Sequence, residues 1–170
     1  MRIILAVLAI VSFQFAFAAN DHDHAPAKVS AQFEKMKSLV GTWQGKTDAH
    51  GKEEPLAISY ELTSGGTALI EKINPGSPME MVTVYANSGN TVNATHFCML
   101  GNQPQMTLKK STDNSFSFEM VGTKGVASAN EMHMHAVTLT VDGNKLKSEW
   151  TSFKDGKKGD VKVFVLTKKM

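Results

Sequence analysis

The sequence predicts an all-β protein, an antiparallel up-and-down β-barrel of about ten strands with a short N-terminal helix. Three observations predict it. From about residue 40 onward, apolar residues recur with period two, the pattern of strands with one buried face. The periodic segments are separated by short turns: Ser64-Gly65-Gly66, Asn74-Pro75-Gly76, Asn87 to Asn90, Asp142-Gly143-Asn144 and Asp155-Gly156. No helix long enough for a parallel crossover follows residue 40. Strands joined by tight turns make an antiparallel meander, and a sheet of ten removes its exposed edges by closing on itself.

The elements follow in order. Met1 to Ala18 reads as a signal peptide: Arg2 is the positive start, Ile3 to Val11 is apolar, and Ala16-Phe17-Ala18 is a small-x-small cleavage site. The apolar run is shorter than the roughly 20 residues of a membrane span and is broken by Ser12 and Gln14. The expectation is export and cleavage, a periplasmic or secreted product, and no integral membrane segment after signal removal. Residues 19–29 form a polar, flexible lead-in whose Asp21-His22-Asp23-His24 binds metal weakly at most. Residues 30–170 form the barrel domain. Ser30 is placed to cap a helix running to about Leu39, with Phe33, Met36 and Val40 at helical spacing.

Strands are expected at 40–47, 54–63, 66–74, 79–86, 91–100, 104–110, 114–121, 131–141, 144–153 and 159–168. Leu56, Ile58, Tyr60 and Leu62 share one face of the second. Phe116, Phe118 and Met120 share one face of the seventh, and Leu146 and Trp150 one face of the ninth. The tenth is apolar on both faces, so alternation alone does not choose its inward side.

Composition narrows the function. The net charge is +2 and the lysines are scattered, which excludes the dense basic stripe of a nucleic-acid binder. A single cysteine cannot form an internal disulfide, so the core must hold the fold. Phosphate loops, zincin helices and nucleophile elbows are absent from the sequence. The oligomeric state is not set by these features.

The stretch THFCMLGNQPQM, Thr95 to Met106, holds the lone cysteine. Parity places His96 and Cys98 on the inward face with Val92 and Ala94. Neighbours two apart lie roughly 7 Å apart along a strand, too far for direct proton transfer from Cys98 to His96 without tilting. A structural or pocket-lining role is preferred over a metal or haem contact and over a nucleophile pair. His133 and His135 face inward if their strand is regular; a bulge would turn Met132 and Met134 inward instead. Together with His96 and Cys98 they are the candidate metal ligands. Glu71 shares a face with Leu69 and Ile73, and Tyr85 with Met81 and Thr83. Glu71 is either a buried acid–base group or an ordinary surface charge.

Leu39-Val40-Gly41-Thr42-Trp43-Gln44-Gly45 follows the helix directly. A Gly-x-Trp there resembles the lipocalin (calycin) barrels. The longer Gly-x-Trp-x-Gly is similar to nitrobindin-type haem-binding barrels and to related uncharacterised exported bacterial families. The segments SGGTALIEKINPG and MEMVTVYAN, with the His96 to Met106 stretch, also resemble the latter. The resemblance implies a lipocalin-like barrel binding a small apolar molecule, with Lys168 as the basic residue packed over the tryptophan. It also implies a haem-ligating histidine near the C-terminus. This chain has no histidine after His135, so that ligand has no counterpart.

The resulting expectation is an exported ligand-binding barrel. A small apolar molecule would contact Tyr60, Tyr85, His96, Cys98, Met106, Phe116, Phe118 and Trp150. The alternatives are a barrel enzyme using Glu71 and His96, or a protein holding haem or a transition metal.

Overall fold

The computed structural model describes residues 28–48 and 52–169. The signal peptide expected at 1–18, and most of the lead-in, lie outside the described residues. Helix α1 (Ala31–Met36) starts at Ser30, whose Oγ accepts from the Phe33 N–H at 3.2 Å. The Ser30 N–H itself donates to Asn87 Oδ1 at 2.7 Å, tying the helix start to the barrel. A 3₁₀ turn, Lys37–Leu39, carries the chain into the first strand. Phe33, Met36 and Leu39 are fully buried, so this helical segment plugs one end of the barrel.

Ten strands follow: β1 (Gly41–Thr47), β2 (Glu54–Thr63), β3 (Ala68–Ile73), β4 (Met81–Ser88), β5 (Thr91–Phe97), β6 (Gln105–Ser111), β7 (Ser115–Met120), β8 (His133–Asp142), β9 (Lys145–Lys154) and β10 (Lys157–Lys168). Each pairs antiparallel with the next, and β1 pairs with β10 to close the barrel. The expected fold class is therefore the observed one, an arrangement consistent with a calycin-like barrel. Among the described residues no helix is long and apolar enough to cross a membrane.

The closing seam explains the sequence Gly41-Thr42-Trp43-Gln44-Gly45. Trp43 is fully buried and its Nε1 donates to the Leu39 carbonyl at 2.7 Å. Lys168 Nζ stands 5.1 Å from the Trp43 ring centroid, as the resemblance implied. Gly41 has φ of 127°, and a Cβ there would lie 2.9 Å from Lys168 Cε. A Cβ on Gly45 would lie 2.5 Å from the Val165 carbonyl oxygen. Both glycines let the last strand approach the first.

The inward faces match the expected parity where the strands are regular. Leu56, Ile58 and Tyr60 are buried, although Leu62 at the end of the same strand is 40 % exposed. On β10 the even residues face inward: Lys162, Phe164 and Leu166 oppose Trp150, Ser148 and Leu146, while Val161, Val163 and Val165 are exposed. In β8 the register breaks between Met134 and Ala136. His133 then opposes Phe153 and Met134 opposes the buried Ser152, so Met134 turns inward while both histidines fall on the opposite face beside Phe153, where His133 is still buried. Of the two readings the sequence leaves open for this strand, the bulged one is observed, with Met134 inward and Met132 still 44 % exposed. Strand β5 stops at Phe97 rather than continuing to residue 100. The reason is a tight turn in which the Gly101 N–H donates to the Cys98 carbonyl at 3.0 Å and the Cys98 N–H to Asn102 O at 3.1 Å.

The two ends of the barrel differ. At one end α1 seats Phe33, Met36 and Leu39 above a packed core that includes Tyr60, Tyr85, Met106, Phe116 and Phe118. Tyr85 and Phe118 pack with ring centroids 5.1 Å apart. Strands β1, β3, β5, β7 and β9 all run toward the other end, and the candidate site lies there.

Candidate functional site

The site begins as a rung of four directly opposed residues. Tyr60 of β2 opposes Glu71 of β3, Glu71 opposes Thr83 of β4, and Thr83 opposes His96 of β5. Opposed side chains on one face of antiparallel strands stand close enough to interact directly, and here the polar groups form a chain. Glu71 Oε2 accepts from the Tyr60 hydroxyl at 2.5 Å and from the Tyr85 hydroxyl at 3.1 Å. Glu71 Oε1 accepts from Thr83 Oγ1 at 3.0 Å, and the same Thr83 oxygen lies 2.9 Å from His96 Nδ1. All five side chains are buried, with Glu71 and Thr83 at 0 % exposure and His96 at 1 %. Glu71 is therefore an interior carboxyl, which decides between the two sequence readings.

A buried carboxyl survives when its lone pairs are occupied. Three hydroxyl donors do this for Glu71. Burial pushes its pKa above the usual carboxylate value, and the hydrogen bonds from Tyr60, Thr83 and Tyr85 oppose that shift. Burial first, then the neighbouring carboxyl, raises the Tyr60 and Tyr85 hydroxyls well above their ordinary pKa, so they act as neutral donors. Burial lowers His96 to a pKa of about 4, which leaves the imidazole neutral at pH 7.

His96 ends the chain at a pocket. A cavity of about 160 Å³ is lined by Thr47, Ile73, Met81, His96, Met134, Trp150, Lys162 and Phe164. These residues lie toward the ends of their strands away from α1, and exposed Lys162 and half-buried Met81 stand where buried His96 and Trp150 form the inner part. The His96 ring packs on Trp150 with centroids 4.5 Å apart and planes at 42°. Trp150 Nε1 and Ser148 Oγ, two residues apart on β9, are buried without a hydrogen-bond partner among the described residues. A larger groove of about 530 Å³ lies beside the β3–β4 connection and includes Gln44, Pro55, Asn74 and Met79. It contains none of the buried titratable groups, so the smaller cavity is the better candidate.

The expected ligand contacts separate in space. His96 and Trp150 line the cavity. Tyr60 and Tyr85 act one layer away through Glu71. Met106, Phe116 and Phe118 belong to the packed core. Cys98 lies in the turn after β5, half-buried and outside the cavity lining, with its thiol pKa pushed up chiefly by burial. Sequence reasoning missed Thr47, Ile73, Met81, Met134, Lys162 and Phe164 as pocket residues. The parity of Ile73 and Met81 was a usable signal; Met134 and Phe164 required the bulge and the β10 register.

The candidate metal ligands are not assembled. His96 is inside the barrel and Cys98 is on the β5–β6 turn. Buried His133 and half-buried His135 pair on the face of β8 that points away from the cavity, Nε2 to Nδ1 at 3.2 Å, with His135 stacked on Phe153 at 3.8 Å. Among the described residues, no group of three or more His, Cys, Asp or Glu side chains has the arrangement of a metal site. The polar β5–β6 turn braces the β7–β8 connection, because Asn102 Nδ2 donates to Glu131 Oε1 at 2.7 Å and to Met132 O at 2.9 Å. No protein-family model matches the chain, and no curated protein matches it.

Proposed function

We propose that the protein is an exported, lipocalin-like binding protein for a small, mostly apolar molecule. The observation that carries this reading is the cavity of about 160 Å³, walled by Ile73, Met81, Met134, Trp150 and Phe164, with the buried imidazole of His96 among those walls. Ligand sites commonly combine apolar walls with a few placed polar atoms. A protein cavity of about 150 Å³ is known to hold benzene, so the volume here fits a ligand of one ring. The Gly41 to Gly45 seam with Lys168 over Trp43 supports the lipocalin-like reading. The Met1 to Ala18 pattern supports export.

Titration of purified protein with toluene tests the reading, with intrinsic tryptophan emission as the signal. The expected result is saturable quenching that Trp150→Phe abolishes, because Trp43 is sealed under Lys168. Absence of saturation, with no bound mass in native mass spectrometry for toluene or phenol, rejects it.

The Thr83 bridge favours one further reading, acid–base catalysis by His96 positioned through Thr83 by Glu71. Such a base would accelerate α-proton exchange of cyclopentanone in deuterated water. Equal exchange rates for wild type and His96→Leu reject this second reading.

A further inference from the structure

We propose that the pocket selects apolar molecules carrying a hydrogen-bond donor, a phenol-like O–H, and that Glu71 fixes this choice by setting the tautomer of His96 through Thr83. The inference rests on the pocket being a ligand site and adds the ligand's chemical class.

Thr83 has one hydroxyl proton and two polar neighbours, Glu71 Oε1 at 3.0 Å and His96 Nδ1 at 2.9 Å. An ionised carboxylate can only accept. The Glu71 carboxyl is met by three hydroxyls, from Tyr60, Tyr85 and Thr83, a set that suits an acceptor. The Thr83 proton therefore points to Glu71, and its oxygen is left to accept from His96. Nδ1 of His96 then carries the ring proton. A neutral imidazole has only one, so Nε2 is a bare acceptor.

The polarity does not require the carboxyl to remain ionised. A proton on Oε2, beside the two tyrosines, still leaves Oε1 to accept from Thr83. Packing against Trp150 at 4.5 Å helps hold the ring orientation. Among the described residues His96 is hydrogen bonded through Nδ1, leaving Nε2 as its unused polar atom at the cavity. Nε2 is thus a lone acceptor open to the cavity, and a ligand donor that reaches it gains a hydrogen bond among apolar walls. Thr47, Lys162 and Trp150, whose Nε1 is a buried donor without a partner among the described residues, offer the remaining polar groups of the lining.

The consequence opposes ordinary partitioning. A featureless apolar cavity prefers toluene to phenol, because phenol must give up its hydrogen bonds to water. A cavity with a pre-aimed acceptor reverses that order, and a well-made hydrogen bond corresponds to about a tenfold change in affinity.

The test compares phenol and toluene by calorimetric titration of the purified protein, with ¹⁵N NMR of the His96 ring. The expected result is phenol binding about tenfold tighter than toluene, with Nδ1 protonated and Nε2 bare in the free protein. His96→Leu should restore the preference for toluene. Thr83→Val should weaken phenol and leave toluene unchanged, and Thr83→Ser should restore phenol binding. Toluene binding as tightly as phenol, or a ring proton on Nε2, overturns the inference while the pocket reading stands. Phenol preference that survives in folded Thr83→Val also overturns it. If neither ligand binds, both readings fall. The wild-type ligand comparison and NMR spectrum decide the matter even if a variant does not fold.

Discussion

Thr83 Oγ1 lies 2.9 Å from His96 Nδ1 and 3.0 Å from Glu71 Oε1, so one hydroxyl joins a buried carboxyl to the imidazole at the cavity. The three side chains come from adjacent strands in direct register. Removing the hydroxyl while keeping the shape leaves two buried polar atoms without their shared partner. Thr83→Val should therefore lower stability by about 1–3 kcal/mol, and Thr83→Ser by clearly less. Urea unfolding of the two variants checks this; equal losses would mean that the lost methyl contacts, rather than the hydroxyl, set the cost.

His96 should make the fold sensitive to acid. Its pKa falls from 6.5 to about 4 on burial, so between those values the unfolded chain holds more protons than the native one. Stability contributed by the neutral ring is present above about pH 6.5 and is lost as pH falls toward 4. The full interval corresponds to about 3 kcal/mol. Glu71 acts with the opposite sign: its raised pKa makes the native state retain a proton longer, so its contribution declines as pH rises from the ordinary carboxylate range. Unfolding midpoints at pH 4 and pH 7 should diverge for wild type and converge for His96→Leu. An unchanged pH dependence in that variant would remove His96 as the source.

The barrel seam should tolerate no added methyl. Gly45→Ala places a Cβ 2.5 Å from the Val165 carbonyl oxygen, backbone that cannot swing aside. A loss of about 1–3 kcal/mol is expected, the usual range for overpacking. Lys168→Met should cost less, about 0.5–1 kcal/mol, because it removes the cation over Trp43 while keeping most of the apolar stem. Thermal unfolding of both variants distinguishes the two effects.

The β8 bulge predicts unequal methionines. Met134 lines the cavity, whereas Met132 is 44 % exposed. Met134→Ala should destabilise the protein by about 1–3 kcal/mol and admit larger probes than toluene. Met132→Ala should stay within about 0.5 kcal/mol of wild type. The reverse ranking in chemical denaturation would contradict the bulged register.

Cys98 should alkylate more slowly than a free cysteine at pH 7.5. It is half-buried, and burial raises its thiol pKa, so less thiolate is present. Iodoacetamide labelling followed by mass spectrometry measures the rate. Labelling at the free-thiol rate would contradict this assignment.

The sequence by itself determined the barrel. Period-two alternation and short glycine-containing turns leave an antiparallel meander little choice but to close, and the strand boundaries follow to within a few residues. It also gave the inward parity of His96 and Trp150 and put Tyr85 on one face with Thr83. Tertiary structure decided what alternation cannot encode. Cross-strand register brought Tyr60, Glu71, Thr83 and His96 onto one rung, although they are spread over 37 positions from Tyr60 to His96. A bulge exchanged Met134 for the histidines, and pairing with β9 chose the inward face of the valine- and phenylalanine-rich stretch on β10. Packing then divided the interior into a filled half under α1 and a cavity at the other end. The physical reason is that periodicity is local, whereas register, bulges and unfilled volume depend on which strands meet and how their side chains share space.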